Sequence, residues 1–170
     1  YDAGGYGPSL GIVSLTEEGP LFEIQWPSAN PTRVVPNWNS ILVNKNVNKA
    51  EVLPTVSRKI NWKFVARDNH PGNGGVGFGD YQIKVYQDAG PFTVSFPNQT
   101  DHILYKNTCN LIKWDVANTD KAPINCSKVK IVLFKNRDVN NPIVLKSNVD
   151  NDGSELVDIP DLAADTRARI

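Results

Sequence analysis

The sequence predicts an all-β fold of antiparallel strands, and three features of the chain support this. Apolar and polar residues alternate with a period of two along most segments, as expected where one face of a sheet is buried and the other meets solvent. Short clusters of Gly, Pro, Asn and Asp separate these segments, which is typical of strands joined by turns. A helical pattern is expected only for a turn or two within residues 37–44.

The alternation also predicts which side chains face a core. Within the segment 59–68 the apolar residues fall on one face, and the segment 80–86 repeats the pattern. The residues expected to be buried are, in chain order, Ile60, Trp62, Phe64, Ala66, Tyr81, Ile83, Val85, Phe92, Val94, Phe96, Ile112, Trp114, Val116, Val129, Ile131 and Leu133. Many short strands with regular turns favour a sandwich or barrel.

A domain boundary is predicted at the segment 87–91, which contains Gly90 and Pro91 and separates one strand pattern from the next. The alternative is a further turn inside a single domain. With 170 residues, the chain is long enough for two sandwiches of roughly 80–90 residues each. We therefore predict two antiparallel β-sandwiches in series, residues 1–88 and 91–170.

The charge balance does not favour nucleic acid or an anionic membrane surface as a partner. The chain has 18 basic and 18 acidic residues and a formal net charge of zero. No apolar run approaches the roughly 18 residues that a membrane-spanning helix needs. The sequence therefore predicts neither a nucleic-acid ligand nor a membrane span.

The two cysteines, Cys109 and Cys126, leave two alternatives open. An even number is consistent with one disulfide in an oxidising compartment, and two free thiols are equally compatible with the count. Cys109 has the opposite parity to Ile112 and Trp114, which places it at a strand edge. A bridge to Cys126 would then close a loop and would not cross a core.

Catalytic motifs are not expected in this chain. The segment 72–77 matches G-x-G-x-x-G by letter, but a strand pattern follows it, whereas a dinucleotide site requires a helix there. The glycines are better explained by a hairpin loop. The only histidines are His70 and His102, and neither H-E-x-x-H nor G-x-S-x-G occurs.

Asp68, Asn69 and Asp80 bracket the glycine loop and form a candidate calcium site. Calcium requires six to eight oxygen ligands, so backbone or water oxygens would have to complete the set. The alternative is ordinary turn chemistry, in which Asp and Asn side chains bind the backbone nearby.

One tryptophan is a candidate for stacking on a sugar ring. Trp62 and Trp114 lie on the alternating apolar faces and are expected in the core, whereas Trp38 has polar neighbours within the segment 36–39. Trp38 is therefore the tryptophan expected to be exposed, and a glycan is the ligand that an exposed aromatic face would favour.

Several motifs, in their order and spacing, resemble a known region of secreted proteases. They are Pro20-Leu21-Phe22, Ser28-Ala29-Asn30-Pro31-Thr32-Arg33, Glu51-Val52-Leu53-Pro54-Thr55, Arg67-Asp68-Asn69, Ala89-Gly90-Pro91-Phe92-Thr93-Val94, Trp114-Asp115-Val116-Ala117-Asn118-Thr119, Asn125-Cys126 and Asn151-Asp152-Gly153-Ser154-Glu155. Over nearly the whole chain they resemble the non-catalytic C-terminal region of reprolysin-like zinc metalloproteases of Bacteroidetes-type bacteria. In place of the Ser-Thr-Asp-Gly-Gly usual in that family, this chain has residues 134–138.

The resemblance implies two tandem immunoglobulin-like modules, incomplete at both ends, in a protein that is secreted or held at the cell surface. It implies that any zinc belongs to a catalytic domain elsewhere in the parent protein, so no catalytic residue is assigned here. The function expected is to space, stabilise or dock that domain, and the expected partners are the other domains of the parent chain. The alternative is a cell-surface adhesin or carbohydrate-binding module with an extracellular protein or glycan ligand.

Overall fold

The computed structural model describes residues 21–22, 26–43 and 51–170 of the chain. Within these ranges it has seven strands in antiparallel sheets and one short α-helix. The predicted all-β fold is therefore confirmed. The chain divides into two compact units, Tyr1–Gln87 and Asp88–Ile170.

In the first unit, the short helix α1 spans Trp38–Val43, within the range where a helical turn was expected. Asn37 precedes it and caps it, because its Oδ1 accepts a hydrogen bond from the N–H of Ser40 at 3.1 Å. Ser40 and Leu42 are buried. The helix is thus fixed by a cap at its start and by the burial of these two side chains.

Two long strands form a hairpin in the first unit. Strands β1 (Arg58–Arg67) and β2 (Val76–Val85) pair antiparallel along ten residues each. Residues directly opposite each other share a face of the ribbon, so the hairpin has two distinct faces. What we term the apolar face consists of Arg58, Ile60, Trp62, Phe64, Ala66, Gly77, Gly79, Tyr81, Ile83 and Val85, and its one charged residue, Arg58, is buried. What we term the polar face consists of Lys59, Asn61, Lys63, Val65, Arg67, Val76, Phe78, Asp80, Gln82 and Lys84.

The burial predicted for this hairpin is largely wrong. In the ribbon only Arg58 and Ile60 are buried, and Phe64, Ala66, Tyr81 and Ile83 are exposed. Alternation fixes the face on which a side chain lies, but it does not establish that another layer covers that face.

The second unit contains five strands in two sheets. The first sheet has the order β3 (Thr93–Phe96), β4 (Cys109–Asp115) and β7 (Ser154–Asp158). The second sheet pairs β5 (Lys128–Leu133) with β6 (Ile143–Asp150). A 3-10 turn, Lys135–Arg137, follows β5.

Side chains from both sheets of this unit meet in one core, which gives it a sandwich-like character. The core cluster consists of Ile112, Trp114, Ile131, Val149, Val157 and Ile159. Strand β4 buries every second residue, beginning with Asn110, so the burial predicted for Ile112 and Trp114 is confirmed. Each large aliphatic side chain removed from water contributes about 1.5–3 kcal/mol.

Candidate functional site

The glycine loop between β1 and β2 is organised by Asp68. Its Oδ1 accepts hydrogen bonds from the N–H groups of His70 and Gly75, each at 3.0 Å, and its Oδ2 also accepts from Gly75 at 3.0 Å. The amides of His70 and Gly75 hold the pKa of the Asp68 carboxyl below its ordinary value, because they stabilise the carboxylate. A Cβ atom on Gly74 or Gly75 would lie 3.2 or 3.1 Å from the Asp68 carboxylate oxygens. The glycines therefore allow the carboxylate to approach the backbone.

The structure does not bring Asp68 and Asp80 together. Asp80 lies opposite Lys63 and forms an exposed ion pair with it at 2.9 Å. Lys63 precedes Asp68 by five residues, which corresponds to about 16 Å along a strand. A calcium ion holds its oxygen ligands at about 2.3–2.6 Å, so these two carboxylates cannot share one ion in this arrangement.

The third residue of the predicted calcium set has a backbone function. Asn69 has a left-handed φ of 54°, as Asn often does in turns. Among the residues that the structure describes, no three His, Cys, Asp or Glu side chains come close enough together to hold a metal. Asp68 and Asn69 therefore have the geometry of an ordinary turn, in which side chains bind the nearby backbone, and not that of a calcium site.

The two cysteines, Cys109 and Cys126, are free thiols in the structure, which is the second of the two alternatives that the sequence left open. Cys109 is the exposed first residue of β4. The carbonyl of Cys126 accepts a hydrogen bond from Asn151, and Asn151 also binds Trp114. Trp114 is near the other end of β4, so Cys126 lies near that end. Cys109 and Trp114 are five residues apart, about 16 Å along the strand, whereas a disulfide requires Cα atoms within about 7 Å.

The tryptophans are placed differently from the prediction. Trp38, the first residue of helix α1, is only partly exposed, so it offers less of its ring than predicted. The freely exposed ring is that of Trp26, at 93%. Trp114 is buried as predicted, and Trp62 is partly buried.

The partly buried Trp62 lies beside the ion pair between Arg33 and Glu51, two residues that belong to the motifs of the family resemblance. The Arg33 guanidinium lies 5.7 Å from the Trp62 ring centre, and Phe22 stacks on the same ring at 5.2 Å. Arg33 also binds the buried carboxylate of Glu51 at 2.6 Å. The other oxygen of Glu51 accepts from the N–H of Asn37 at 2.8 Å. Glu51 thus ties its own segment to residues 33–37 of the first unit.

Asn151 is the principal polar node of the second unit, and it is buried. Its Oδ1 accepts from the indole N–H of Trp114 at 2.9 Å. Its Nδ2 donates to Thr119 Oγ1 at 3.0 Å and to the carbonyl of Cys126 at 2.9 Å. The side chain therefore satisfies the buried tryptophan and links the loop after β4 to the chain entering β5. In the sequence, Asn151 opens an Asn-Asp-Gly cluster of the kind that is typical of turns, and nothing in that cluster marks it as a core residue.

A cavity of about 550 Å³ lies beside this node. Three carboxylates, Asp115, Asp120 and Asp152, and one ammonium group, Lys121, line it. Asp115 accepts from the N–H of Ala117 at 2.9 Å, and Asp152 accepts from the N–H of Ser154 at 3.3 Å. These contacts fix the cavity walls. Chemically, the lining offers hydrogen-bond acceptors and contains no histidine, cysteine or serine.

No protein-family model, curated protein or solved structure matches this chain. Among the described residues, no helix is long and apolar enough to cross a membrane.

Proposed function

We propose that this chain is a non-catalytic accessory region of a secreted bacterial zinc metalloprotease, built of immunoglobulin-like modules. It spaces, stabilises or docks the catalytic domain and does not itself cleave a substrate. The chain belongs, on this proposal, to a protein that is secreted or displayed at the cell surface.

One observation carries the proposal: polar residues of the resemblance motifs serve as structural ties. Glu51 binds Arg33 and the backbone of Asn37. Asp68 binds the amides of its own loop, and Asn151 binds Trp114. These side chains are occupied in holding loops and are not arranged as the nucleophile, base and oxyanion-stabilising groups of a catalytic site. Their use here favours a supporting module.

The first test is mass-spectrometric peptide sequencing of the full-length native protein from its source. We expect an H-E-x-x-H peptide upstream of Tyr1, because this signature places two histidines on one helix face for zinc. Deleting the region described here from that protein should lower the thermal stability or secreted yield and leave kcat on a short peptide substrate unchanged. A full-length sequence without the signature would refute the proposal.

The alternative function is a cell-surface adhesin or carbohydrate-binding module, and the exposure of Trp26 favours it. An exposed indole ring can stack on the apolar face of a sugar. A glycan array with the wild-type chain, Trp26→Ala and Trp38→Ala tests it. Binding that Trp26→Ala abolishes and Trp38→Ala retains would support this function, and no binding by the wild type would eliminate it.

A further inference from the structure

The strand β5 forms an edge of its sheet, because among the described strands it pairs with β6 alone. Its inward-facing side chains, Val129, Ile131 and Leu133, are all apolar, and they are buried or partly buried. Edges that proteins protect from further pairing often carry a proline, a bulge or an inward-pointing charge. β5 has none of these, since the extra residues at its register shifts lie in β6. Such an edge is a ready template for another strand.

Hydrogen bonds at the two ends of β5 show which of its backbone groups face the open edge. At one end, the carbonyl of Ser127 accepts from the N–H of the residue that follows β6, at 3.0 Å. At the other end, the extended residue Phe134 donates to Arg169 at 2.7 Å and accepts from it at 2.9 Å. Successive residues of a strand direct their N–H and C=O groups to opposite edges. Lys130 and Val132 therefore face the same edge as Phe134, away from β6.

Arg169 and Ile170 lie on this open edge. The bridge between Phe134 and Arg169 is antiparallel, so Ile170 comes opposite Leu133. Ile170 also packs against the core cluster of the second unit, as an inward-facing residue of a strand does. These two residues thus have the place and the direction of the beginning of a strand antiparallel to β5.

The turn that follows β5 holds the chain in this direction. Asp165 accepts hydrogen bonds from the N–H groups of Asn136 and Arg167, the latter at 2.8 Å. The guanidinium of Arg167 donates to Oδ1 of Asn136 at 3.1 Å. The approach to the open edge is therefore fixed just before the bridge begins.

The burial of the inward side chains of β5 shows where cover is incomplete. Ile131 is buried, whereas Val129, which packs against the same core cluster, is only partly buried. In the register of the bridge, the second residue after Ile170 would lie opposite Ile131 and the fourth opposite Val129. Both positions face the core, so an apolar residue at each would complete its cover.

The length of the open edge decides which partner it favours. Beyond Leu133, which lies opposite Ile170, β5 offers the residues 128–132, about 16 Å of strand. So short an edge gives a separate chain few hydrogen bonds, and Arg169 already occupies its entrance. A segment joined covalently to Ile170 is favoured, because the tether raises its effective concentration without requiring further contacts.

We propose that the open edge of β5 is the binding site for the polypeptide that follows Ile170 in the parent protein. This segment adds an antiparallel strand to the sheet, with main-chain hydrogen bonds to Lys130 and Val132 and apolar side chains at its second and fourth residues. In strand addition of this kind the backbone supplies affinity and alternate side chains supply specificity. This rests on the proposed function, since it requires a parent polypeptide that continues beyond Ile170.

Hydrogen–deuterium exchange of the β5 amides tests the proposal, measured in the full-length native protein and in the isolated chain. The amides of Ile131 and Leu133 face β6 in both samples and are the internal reference. Those of Lys130 and Val132 should exchange at least about tenfold more slowly in the full-length protein, because an amide in a strand pair exchanges only when the pair opens.

Several results would overturn the proposal. Equal rates in the two samples would show that nothing pairs with the open edge, and equal slowing of all four amides would show general stabilisation. Protection in the isolated chain that rises with its concentration would assign the edge to a second copy. A full-length polypeptide that ends at Ile170 would remove the proposed strand altogether.

Ile170→Asp provides the matched variant, with Ala163→Asp as its control. Both add one carboxylate to the segment after β7, but Ile170 packs against the core and Ala163 is exposed. A charge at the core loses its hydration, so in the full-length protein Ile170→Asp should return Lys130 and Val132 to their rates in the isolated chain. Ala163→Asp should retain the protection, and protection of Ile131 shows that each variant is folded. Protection of the edge that survives Ile170→Asp would assign it to another part of the parent and contradict the proposal.

The outcome is separable from the proposed protease role. If Lys130 and Val132 are selectively protected in a full-length protein that lacks the H-E-x-x-H peptide, the strand addition stands and the protease assignment fails. If that peptide is present and these two amides are unprotected, the reverse holds.

Discussion

The indole N–H of Trp114 donates a 2.9 Å hydrogen bond to Oδ1 of Asn151, and both side chains are buried. A buried indole N–H that lacks an acceptor costs about 1–3 kcal/mol. Asn151 supplies that acceptor and uses its amide N–H groups to bind Thr119 and Cys126. One side chain thus connects the core to both ends of the connection between β4 and β5.

Replacing Asn151 with alanine should destabilise the second unit by about 2–4 kcal/mol, because it leaves several buried polar groups unpaired. Urea denaturation followed by Trp114 fluorescence measures the change. Gln99→Ala, at an exposed site, should change stability by less than about 0.5 kcal/mol. Equal losses for the two variants would show that Asn151 is not a structural node.

Gly153→Ala and Gly72→Ala form a matched pair. Both glycines have a φ near +97°, at +98° and +96°, but only a Cβ on Gly153 would contact other atoms, with the carbonyl oxygen of Trp114 at 3.3 Å. Gly72→Ala should lose about 1 kcal/mol from backbone strain, and Gly153→Ala should lose about 2–3 kcal/mol. Chemical denaturation of each variant checks the order, and a larger loss for Gly72→Ala would contradict it.

The glycine loop should become disordered in acid. The pKa of Asp68 is lowered in the folded chain by the amides of His70 and Gly75. The stabilisation is therefore fully present above the ordinary value of 3.8 and is lost as the pH falls through the lower folded pKa. The amide NMR shifts of His70 and Gly75 should titrate together below pH 3.8. In Asp68→Ser this shared transition should disappear, and its persistence there would assign it to another group.

The thiols should remain free under oxidising conditions. Because Cys109 and Cys126 lie near opposite ends of β4, a reducing agent should leave the melting temperature unchanged. Cys109 is exposed and Cys126 only partly so, so a thiol reagent should label Cys109 first. Peptide mapping after labelling gives the order. A melting temperature that falls on reduction would demonstrate a bridge.

The sequence predicts the strand content well, because the alternation of residues such as Ile112 and Trp114 follows directly from burial of one sheet face. It also locates helix α1, where Asn37 supplies the cap. It does not predict that Phe64 and Tyr81 are exposed, since coverage of a sheet face depends on elements distant in the chain. For the candidate calcium site, it places Asp68 and Asp80 near one loop. Their separation is set by the register in which β1 and β2 pair, and the amino-acid sequence alone does not specify that register.

The two kinds of strand pairing described above have consequences for the order of folding. β1 and β2 pair across an eight-residue loop, so their contacts are local and can form within about 1–10 μs. β4 pairs with β7, joining Cys109 to Asp158, and such distant pairing is characteristic of proteins that fold in milliseconds to seconds. During synthesis the hairpin also leaves the ribosome first. Its apolar face is therefore presented to the cell's chaperones before the second core exists.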